Sequence, residues 1–261
     1  MRSNIFKSLT AVAATGLMVL GLSTGSAMAK TDLLVYTAIE ADELAKFKKA
    51  FESDYPDVNI KWVRDSTGIV TSKLMAEKAN PKADIVWGLA ATSLMMLGNE
   101  GYFQGYSPKG VDKLGKLYYD QTNNPPQWIG QRAWIASVCY NTVEGTKYKL
   151  PIPTSWADLT KPVYKGHVIM PNPNSSGTGF LDVSSWMQLM GEDNAWKYMD
   201  GLHENIARYT HSGSKPCKLA AKGEIPIGIS FAYRGAKSKN AGAPLEVIAP
   251  VEGIGWDLES F

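Results

Sequence analysis

Two turns in this chain combine hydroxyl side chains with glycine at points where a predicted strand leads into a predicted helix. Asp65-Ser66-Thr67-Gly68 follows the strand pattern of residues 58–63, and Asn174-Ser175-Ser176-Gly177-Thr178-Gly179 follows that of residues 167–170. Hydroxyl groups and the exposed N–H groups of a helix N-terminus favour an anion. Either turn alone is more simply explained by helix capping, but together they predict two opposing jaws that bind one small anion.

The elements that position these turns follow an α/β pattern. Leu33–Tyr36 and Ile60–Val63 predict buried strands, and Glu40–Ser53 predicts an amphipathic helix between them. A polar, Pro-rich segment at residues 121–127 precedes a long predicted strand, Trp134–Tyr140. Strands that alternate with helices at this spacing imply mainly parallel sheets, with a ligand crevice at the carboxyl ends of the strands.

The change of character near residue 131 predicts two lobes. We expect an N-terminal lobe at residues 30–131 and a C-terminal lobe at residues 132–243. Residues 244–261 are expected to return toward the first lobe, because Leu245–Pro250 has the pattern of a further strand. Few residues follow that strand, so we interpret the sequence as C-terminally truncated relative to this fold.

The first 29 residues have the pattern of a secretory signal peptide. Arg2 and Lys7 are positive, residues 9–22 form a mostly apolar run, and Ala27-Met28-Ala29 is a small-residue cleavage site. The apolar run is shorter than the roughly 20 residues of a transmembrane helix. We therefore predict cleavage after Ala29 and a periplasmic mature protein.

Charge and cysteine content narrow the possible partners. The chain has 27 basic and 25 acidic residues, a net charge of +2 that gives no indication of a nucleic-acid partner. Its two cysteines, Cys139 and Cys217, can form a disulfide in an oxidising compartment, or they can remain buried thiols. The spacing alone does not decide between these two states.

Five strings together resemble the solute-binding proteins of ABC importers, in the iron, thiamine and polyamine group. More closely, their order is similar to that of the 2-aminoethylphosphonate-binding members. The strings are Val35-Tyr36-Thr37-Ala38-Ile39-Glu40-Ala41-Asp42, Trp62-Val63-Arg64-Asp65-Ser66-Thr67-Gly68, Ala83-Asp84-Ile85-Val86-Trp87-Gly88-Leu89-Ala90-Ala91, Met170-Pro171-Asn172-Pro173-Asn174-Ser175-Ser176-Gly177-Thr178-Gly179 and Tyr209-Thr210-His211-Ser212-Gly213-Ser214-Lys215-Pro216-Cys217.

The resemblance implies a two-lobed periplasmic binding protein of type II, not an enzyme, that captures 2-aminoethylphosphonate between its lobes. It implies a membrane permease of the ABC type as partner, a monomeric state and no cofactor. The family's chains also continue beyond the position of Phe261, which agrees with the interpretation of a shortened sequence.

The ligand carries a phosphonate oxyanion at one end and an ammonium at the other. Hydroxyl and N–H donors in the two turns suit the phosphonate. Glu40 is our expected partner of the ammonium, with Asp65 or Asp182 as helpers, and tyrosines form an aromatic wall. The full set of expected ligand contacts is Tyr36, Thr37, Glu40, Asp65, Ser66, Thr67, Ala91, Ser175, Ser176, Gly177, Thr178, Tyr209 and Tyr233.

Three different functions stay open at this point. A ferric iron protein of the same fold uses paired tyrosines, whereas Ser230-Phe231-Ala232-Tyr233-Arg234 offers one. A thiamine or polyamine carrier needs a cation site walled by aromatic and acidic side chains. A serine hydrolase is suggested by Ser212-Gly213-Ser214-Lys215, which matches S-x-x-K, but the supporting Ser-Asp-Asn and Lys-Thr-Gly strings of that class are absent from the sequence.

Overall fold

The computed structural model describes residues 30–261, so the predicted signal peptide lies outside the described residues. The first lobe contains β1 (Thr31–Thr37), α1 (Ala41–Asp54), β2 (Val58–Arg64), α2 (Thr67–Ala76), β3 (Ile85–Val86), β4 (Leu89–Ala90) and α3 (Ala91–Asn99). Two short 3-10 turns follow at Val111–Lys113 and Lys116–Tyr118. The long strand β5 (Gly130–Asn141) then leads into the second lobe.

A small parallel sheet organises the first lobe. Its strand order is β2-β1-β3, and both strand pairs are parallel. Helices α2 and α3 pack over the sheet through a core of Tyr36, Val70, Leu89, Leu94 and Leu97. Because β1 and β2 run in the same direction, their carboxyl ends lie at one edge, and the turns that follow them face the second lobe.

The second lobe is built on a larger mixed sheet. After β5 come α4 (Thr142–Lys147), 3-10 turns at Ala157–Thr160 and Pro162–Tyr164, β6 (Val168–Pro171), α5 (Gly177–Met190), α6 (Glu192–His203), β7 (Ile206–Thr210), α7 (Lys215–Ala221), β8 (Ile227–Phe231), α8 (Ala232–Asn240), β9 (Leu245–Ile248) and β10 (Trp256–Ser260). The strand order is β4-β10-β5-β8-β6-β7, and β9 also pairs with β5.

Strands β5 and β10 connect the two lobes. The first half of β5 pairs antiparallel with β10, which also pairs with β4 of the first lobe. The second half of β5 pairs antiparallel with β8 and β9. The expected parallel pairing therefore holds for the first sheet and for β6 with its neighbours β7 and β8, while the antiparallel pairs are those of β5 and β10.

The expected return strand differs from the observed one. Leu245–Ile248 stays inside the second lobe, because it pairs with β5 and because Leu245 is buried against Cys139, Cys217 and Ala220. The return to the first lobe is made by β10. The sequence pattern identified a strand correctly but could not identify its partner.

Two helices differ from the pattern of the sequence. Helix α2 begins at Thr67, although the apolar pattern favours a start near Thr71, so the first hydroxyl turn is the helix N-terminus itself. Helix α8 was not predicted, because its sequence is largely polar and basic.

Trp196, whose residue type favours the core, is 52% exposed on α6, whereas Trp186 is buried.

Aromatic side chains fill the core of the second lobe. Trp156 and Trp186 meet edge to face with ring centroids 5.3 Å apart, and Tyr198 packs on Trp186 at 5.0 Å. Leu159 and Val168 are fully buried in the same cluster. Within residues 30–261, no helix combines the length and the apolar character that a membrane crossing requires.

Cys139 and Cys217 are joined by a disulfide that ties β5 to α7, with Cα atoms 5.4 Å apart. Both residues are fully buried, and the bond closes a loop over 78 positions of sequence. Such a crosslink restricts the unfolded chain.

We predict that the double substitution Cys139→Ala and Cys217→Ala lowers the free energy of unfolding by about 4 kcal/mol, the chain-entropy value for a loop of this length. Urea denaturation of the oxidised wild-type protein and the variant measures the difference. Thiol titration of the unreduced, denatured wild type should find no free thiol; two titrated thiols would show that the bond is not formed.

Candidate functional site

A cavity of about 140 Å³ lies between the lobes, beside the connecting strands. Its lining comes from the ends of strands, from three loops that lead into helices, and from β5 and β10. The lining residues are Ala38, Glu40, Arg64, Ser66, Thr67, Gly88, Ala90, Arg132, Ala133, Trp134, Ser176, Gly177, Thr178, Ser212, Gly213, Ser214, Phe231, Tyr233 and Glu259.

The N-termini of α2 and α5 both open onto this cavity. Ser66 and Ser176 are the respective N-cap residues, and both have extended backbones. Ser176 Oγ accepts a hydrogen bond from the Gly179 N–H at 3.3 Å. The first N–H groups of a helix have no partner within it, and they carry the positive end of the helix dipole. Two such ends aimed at one cavity make it suited to an anion.

Hydroxyl groups add further donors around the same point. Ser66, Thr67 and Thr178 line the cavity, and each carries a hydroxyl group. A hydroxyl can turn to donate to a ligand oxygen. The arrangement therefore offers directional donors from both lobes at short range.

Two glycines allow the helix N-termini to approach each other. The Gly68 N–H donates to the Ser175 carbonyl oxygen at 3.0 Å, which is a direct contact between the lobes. A Cβ atom on Gly68 would overlap the Asn174 carbonyl oxygen, and one on Gly177 would lie 2.6 Å from Thr67 Oγ1. The lobes can meet in this way only without side chains at these two positions.

A third loop contributes hydrogen-bond donors to the cavity, in addition to the N-termini of α2 and α5; together we call these the donor group. Ser212, Gly213 and Ser214 connect β7 to α7 and line the cavity beside Thr178. A Cβ atom on Gly213 would overlap the Thr178 hydroxyl, so the loop packs closely against α5. Sequence reasoning did not include these residues among the ligand contacts, although their hydroxyl and glycine pattern is the same as in the two turns.

The end of the cavity beside the connecting strands is lined by aromatic and charged residues. Phe231 lies between Trp134, at 6.2 Å in a T-shaped arrangement, and Tyr233, at 6.5 Å in a stacked one. The Arg132 guanidinium lies 5.5 Å from the centre of the Tyr233 ring. This end thus combines aromatic faces with charged groups of the connecting strands.

Ion pairs also bridge the lobes at the start of α1, where Glu40 lines the cavity and Asp42 does not. Glu40 accepts hydrogen bonds from Arg234 and, at 3.1 Å, from Lys218. Asp42 pairs with Arg234 at 3.1 Å and with Lys237 at 2.8 Å. The start of α1 is therefore acidic and faces basic side chains of α7 and α8.

A histidine contact also bridges the two lobes. His211 Nε2 lies 2.7 Å from Asp65 Oδ1. Burial raises the pKa of Asp65, but hydrogen bonds from His211 and the Ser66 N–H outweigh it and leave the pKa below its ordinary value. Asp65 is thus an ionised partner of the second lobe and does not line the cavity.

The structure separates the thirteen predicted contacts into two sets. The cavity is lined by Glu40, Ser66, Thr67, Ser176, Gly177, Thr178 and Tyr233, but not by Tyr36, Thr37, Asp65, Ala91, Ser175 or Tyr209. Tyr36 is buried and donates to Glu77 at 2.9 Å, Ser175 Oγ donates to the His211 carbonyl oxygen, and the Tyr209 hydroxyl contacts His203. Thr37 and Ala91 are buried in the first lobe.

Asp182 is not a helper at the cleft. It is fully buried on α5, and neither carboxyl oxygen has a hydrogen-bond partner in the described chain. Burial raises the pKa of Asp182 well above its ordinary value, which favours the neutral acid. Its position in the helix pattern could not reveal that this face of α5 packs against the core.

The chain belongs to the family of bacterial extracellular solute-binding proteins, whose family model matches residues 80–255. An uncharacterized protein of Haemophilus influenzae is 32% identical over 256 residues, covering 97% of this chain and 74% of that protein. The thiamine-binding periplasmic protein of Escherichia coli is 29% identical, covering 80% of this chain and 63% of that protein.

A solved structure shows the same architecture. The periplasmic binding protein AfuA from Actinobacillus pleuropneumoniae, with fructose-6-phosphate bound, superposes with a TM-score of 0.83 at 33% identity. The match covers 89% of this chain and 73% of that one. The predicted fold, a type II periplasmic binding protein, is confirmed, and the family consists of solute-binding transport components instead of enzymes.

We predict that Gly68→Ala lowers ligand affinity about tenfold, because the added methyl group must displace the Asn174 carbonyl oxygen before the lobes meet. Gly68 has no positive φ, so alanine suits its backbone and the stability of the first lobe should be retained. Gly201→Ala on α6 is the matched control, since its Cβ meets Thr160 at an ordinary 3.5 Å. Calorimetry that finds equal affinity for both variants would contradict the close approach.

The acidic start of α1 gives a pH prediction. Hydrogen bonds from Arg234 and Lys237 hold the pKa of Asp42 well below its ordinary value. Because the folded chain favours the ionised form, this stabilisation is complete above about pH 4 and is lost as the pH falls further. The stability of Asp42→Asn should therefore fall less steeply than that of wild type below about pH 4. Between pH 5 and 8 the stability of the two proteins should depend on pH in the same way. Parallel urea titrations at each pH test this; identical acid profiles would contradict it.

Proposed function

We propose that this protein is the periplasmic solute-binding component of an ABC importer and that it captures 2-aminoethylphosphonate between its lobes. The observation that carries the proposal is the meeting of two helix N-termini, one from each lobe, at a single cavity. The family supports the role of binding component, and two of the similar proteins, from Escherichia coli and Actinobacillus pleuropneumoniae, are periplasmic binding proteins.

The donor set supports a tetrahedral oxyanion as the ligand group. A phosphonate has three oxygens that accept hydrogen bonds in different directions, and the donors approach from α2, α5 and the loop before α7. Backbone N–H and hydroxyl groups can bind such an oxyanion without a direct lysine or arginine contact. The relative AfuA has a phosphorylated sugar bound, and a phosphate shares this oxygen geometry.

The size of the cavity supports a small solute. About 140 Å³ is far below the volume of a typical drug-sized pocket. Small side chains, among them Ala38, Ala90 and Ala133, also line the cavity. A hexose phosphate is the second candidate, because the AfuA structure contains fructose-6-phosphate.

Iron binding, thiamine binding and hydrolysis have less support. The segment at residues 230–234 supplies one tyrosine, Tyr233, in place of the paired tyrosines of a ferric iron protein, which disfavours ferric iron. A thiamine site in this chain would have to accommodate a larger cation against the donors of two helix N-termini, where the dipoles oppose positive charge. Ser212 and Ser214 belong to the donor group, which explains their pattern without hydrolase chemistry.

The proposed mechanism is capture by hinge closure about β5 and β10. The open lobes admit the solute, donors from both lobes bind its phosphonate, and ion pairs such as Lys237 to Asp42 form as the lobes meet. A ligand that contacts both lobes shifts the population toward the closed form. The membrane permease recognises that form, and the solute is released unchanged.

We predict that Thr67→Ala or Thr178→Ala weakens binding of 2-aminoethylphosphonate by about 1 to 3 kcal/mol, because a buried ligand oxygen loses its donor. Ser176→Ala should weaken it as well, with added loss of the α5 cap. Thr146→Ala, an exposed position on α4, is the matched control and should bind as wild type does.

Isothermal titration calorimetry with 2-aminoethylphosphonate, fructose-6-phosphate, thiamine and ferric citrate identifies the solute class. The proposal expects 2-aminoethylphosphonate to bind most tightly. Tighter binding of the sugar phosphate, with the same sensitivity to Thr67→Ala, would retain the oxyanion site but replace the ligand. Unchanged affinity in both threonine variants would contradict the site itself.

A further inference from the structure

A second carboxylate, Glu259 on β10, lines the cavity at its aromatic end. Its Oε2 accepts a hydrogen bond from Arg132 at 2.9 Å. Its Oε1 is shielded from solvent and has no hydrogen-bond partner in the described part of the chain. A buried carboxylate oxygen without a donor is unfavourable, so this position lacks one donor.

The charges around Glu259 are also unbalanced. The Arg132 guanidinium donates to both carboxylate oxygens of Glu43 at 2.9 Å and to Glu259 at the same distance. Two carboxylates thus share one guanidinium. Glu43 has a further hydrogen bond from Tyr233 at 3.0 Å, but that donor is neutral. Lys237 lies 3.5 Å from the Tyr233 hydroxyl but pairs with Asp42 at 2.8 Å, so the cation in contact with Glu259 is the shared Arg132.

Glu40, our expected partner of the ligand ammonium, is in the opposite situation. Arg234 and Lys218 hydrogen-bond its carboxylate, and Arg64 lies 4.0 Å away. Arg234 is itself buried, so these pairs are fixed when the lobes meet. A carboxylate with three cations around it gains little from a fourth, which argues against a role of Glu40 in binding the ammonium.

Burial raises the pKa of Glu259, and the nearby Glu43 and Glu40 add to this effect, while Arg132 lowers it. A bound cation would favour the ionised form and compensate for the burial. The last torsion of a glutamate side chain is broad, so a turn of the carboxylate can present an oxygen to a ligand cation, whose charge would compensate for a weaker Arg132 hydrogen bond. Trp134 and Phe231 supply aromatic faces at the same end of the cavity.

We propose that Glu259 is the residue that binds the cationic end of the ligand and thereby selects zwitterions over simple phosphonates. This inference rests on the proposed function, because it assigns the second end of the same cavity. The ligand class is then a molecule with a tetrahedral oxyanion and a primary ammonium, joined by a short apolar spacer.

Calorimetry with two ligands tests the assignment. 2-Aminoethylphosphonate carries the ammonium, and n-propylphosphonate has a methyl group in its place. Glu259→Gln should lower affinity for 2-aminoethylphosphonate about tenfold to a hundredfold, the loss of one charged hydrogen bond, and leave affinity for n-propylphosphonate within about twofold. Glu246→Gln removes the same charge from a surface position paired with Lys239 and should change neither affinity.

Two further affinity measurements test the assignment of Glu259. Glu259→Asp, which retains the charge, should keep part of the preference for the ammonium ligand. Wild-type protein should bind 2-aminoethylphosphonate at least about tenfold more tightly than n-propylphosphonate, a comparison that needs no variant.

The outcomes separate this inference from the proposed function. If Glu259→Gln weakens both ligands equally, or if the wild type does not distinguish them, the assignment of Glu259 is wrong while phosphonate binding stands. If Glu40→Gln alone removes the preference, the ammonium partner is Glu40 and the assignment is again wrong. Wild-type protein that binds neither phosphonate would overturn both proposals.

Discussion

The structure depends on the direct approach of two helix N-termini across one cavity. The N–H groups of α2 and α5 repel each other electrostatically when both helices point their positive ends at the same space. An anion between them removes that conflict. The contact of the Gly68 N–H with the Ser175 carbonyl oxygen shows how near the two ends lie, and it requires glycine at Gly68 and Gly177. The sheets serve to bring these ends together.

Charge is arranged differently at the two ends of the cleft. At the donor end, neutral hydroxyl and backbone groups provide partial positive charge in fixed directions. At the start of α1, acidic residues meet basic residues of α7 and α8, so ion pairs favour contact between the lobes. Near β10, Glu43 and Glu259 share the single guanidinium of Arg132. This distribution of charge supports our proposal of an anion at one end of the cleft and a cation at the other.

Sequence alone predicted the parts of this site that depend on local pattern. Ser66 and Ser176 could be recognised because a hydroxyl before a helix follows directly from the rules of capping. The side of a strand or helix that faces the cleft was harder to predict. Tyr36 turned into the first lobe and Asp182 into the second, since pattern does not show which neighbour covers each face. Contacts between distant positions could not be predicted from the sequence either. Glu40 and Arg234 are 194 positions apart, and only the folded chain shows that the Glu40 carboxylate is already paired.

The most direct test of the central claim is a crystal structure of the protein with 2-aminoethylphosphonate. The account predicts phosphonate density between the two helix N-termini, with oxygens in hydrogen-bond contact with Thr67 of the first lobe and Thr178 of the second. Phosphonate density that contacts one lobe only, or that lies outside this cavity, would contradict it.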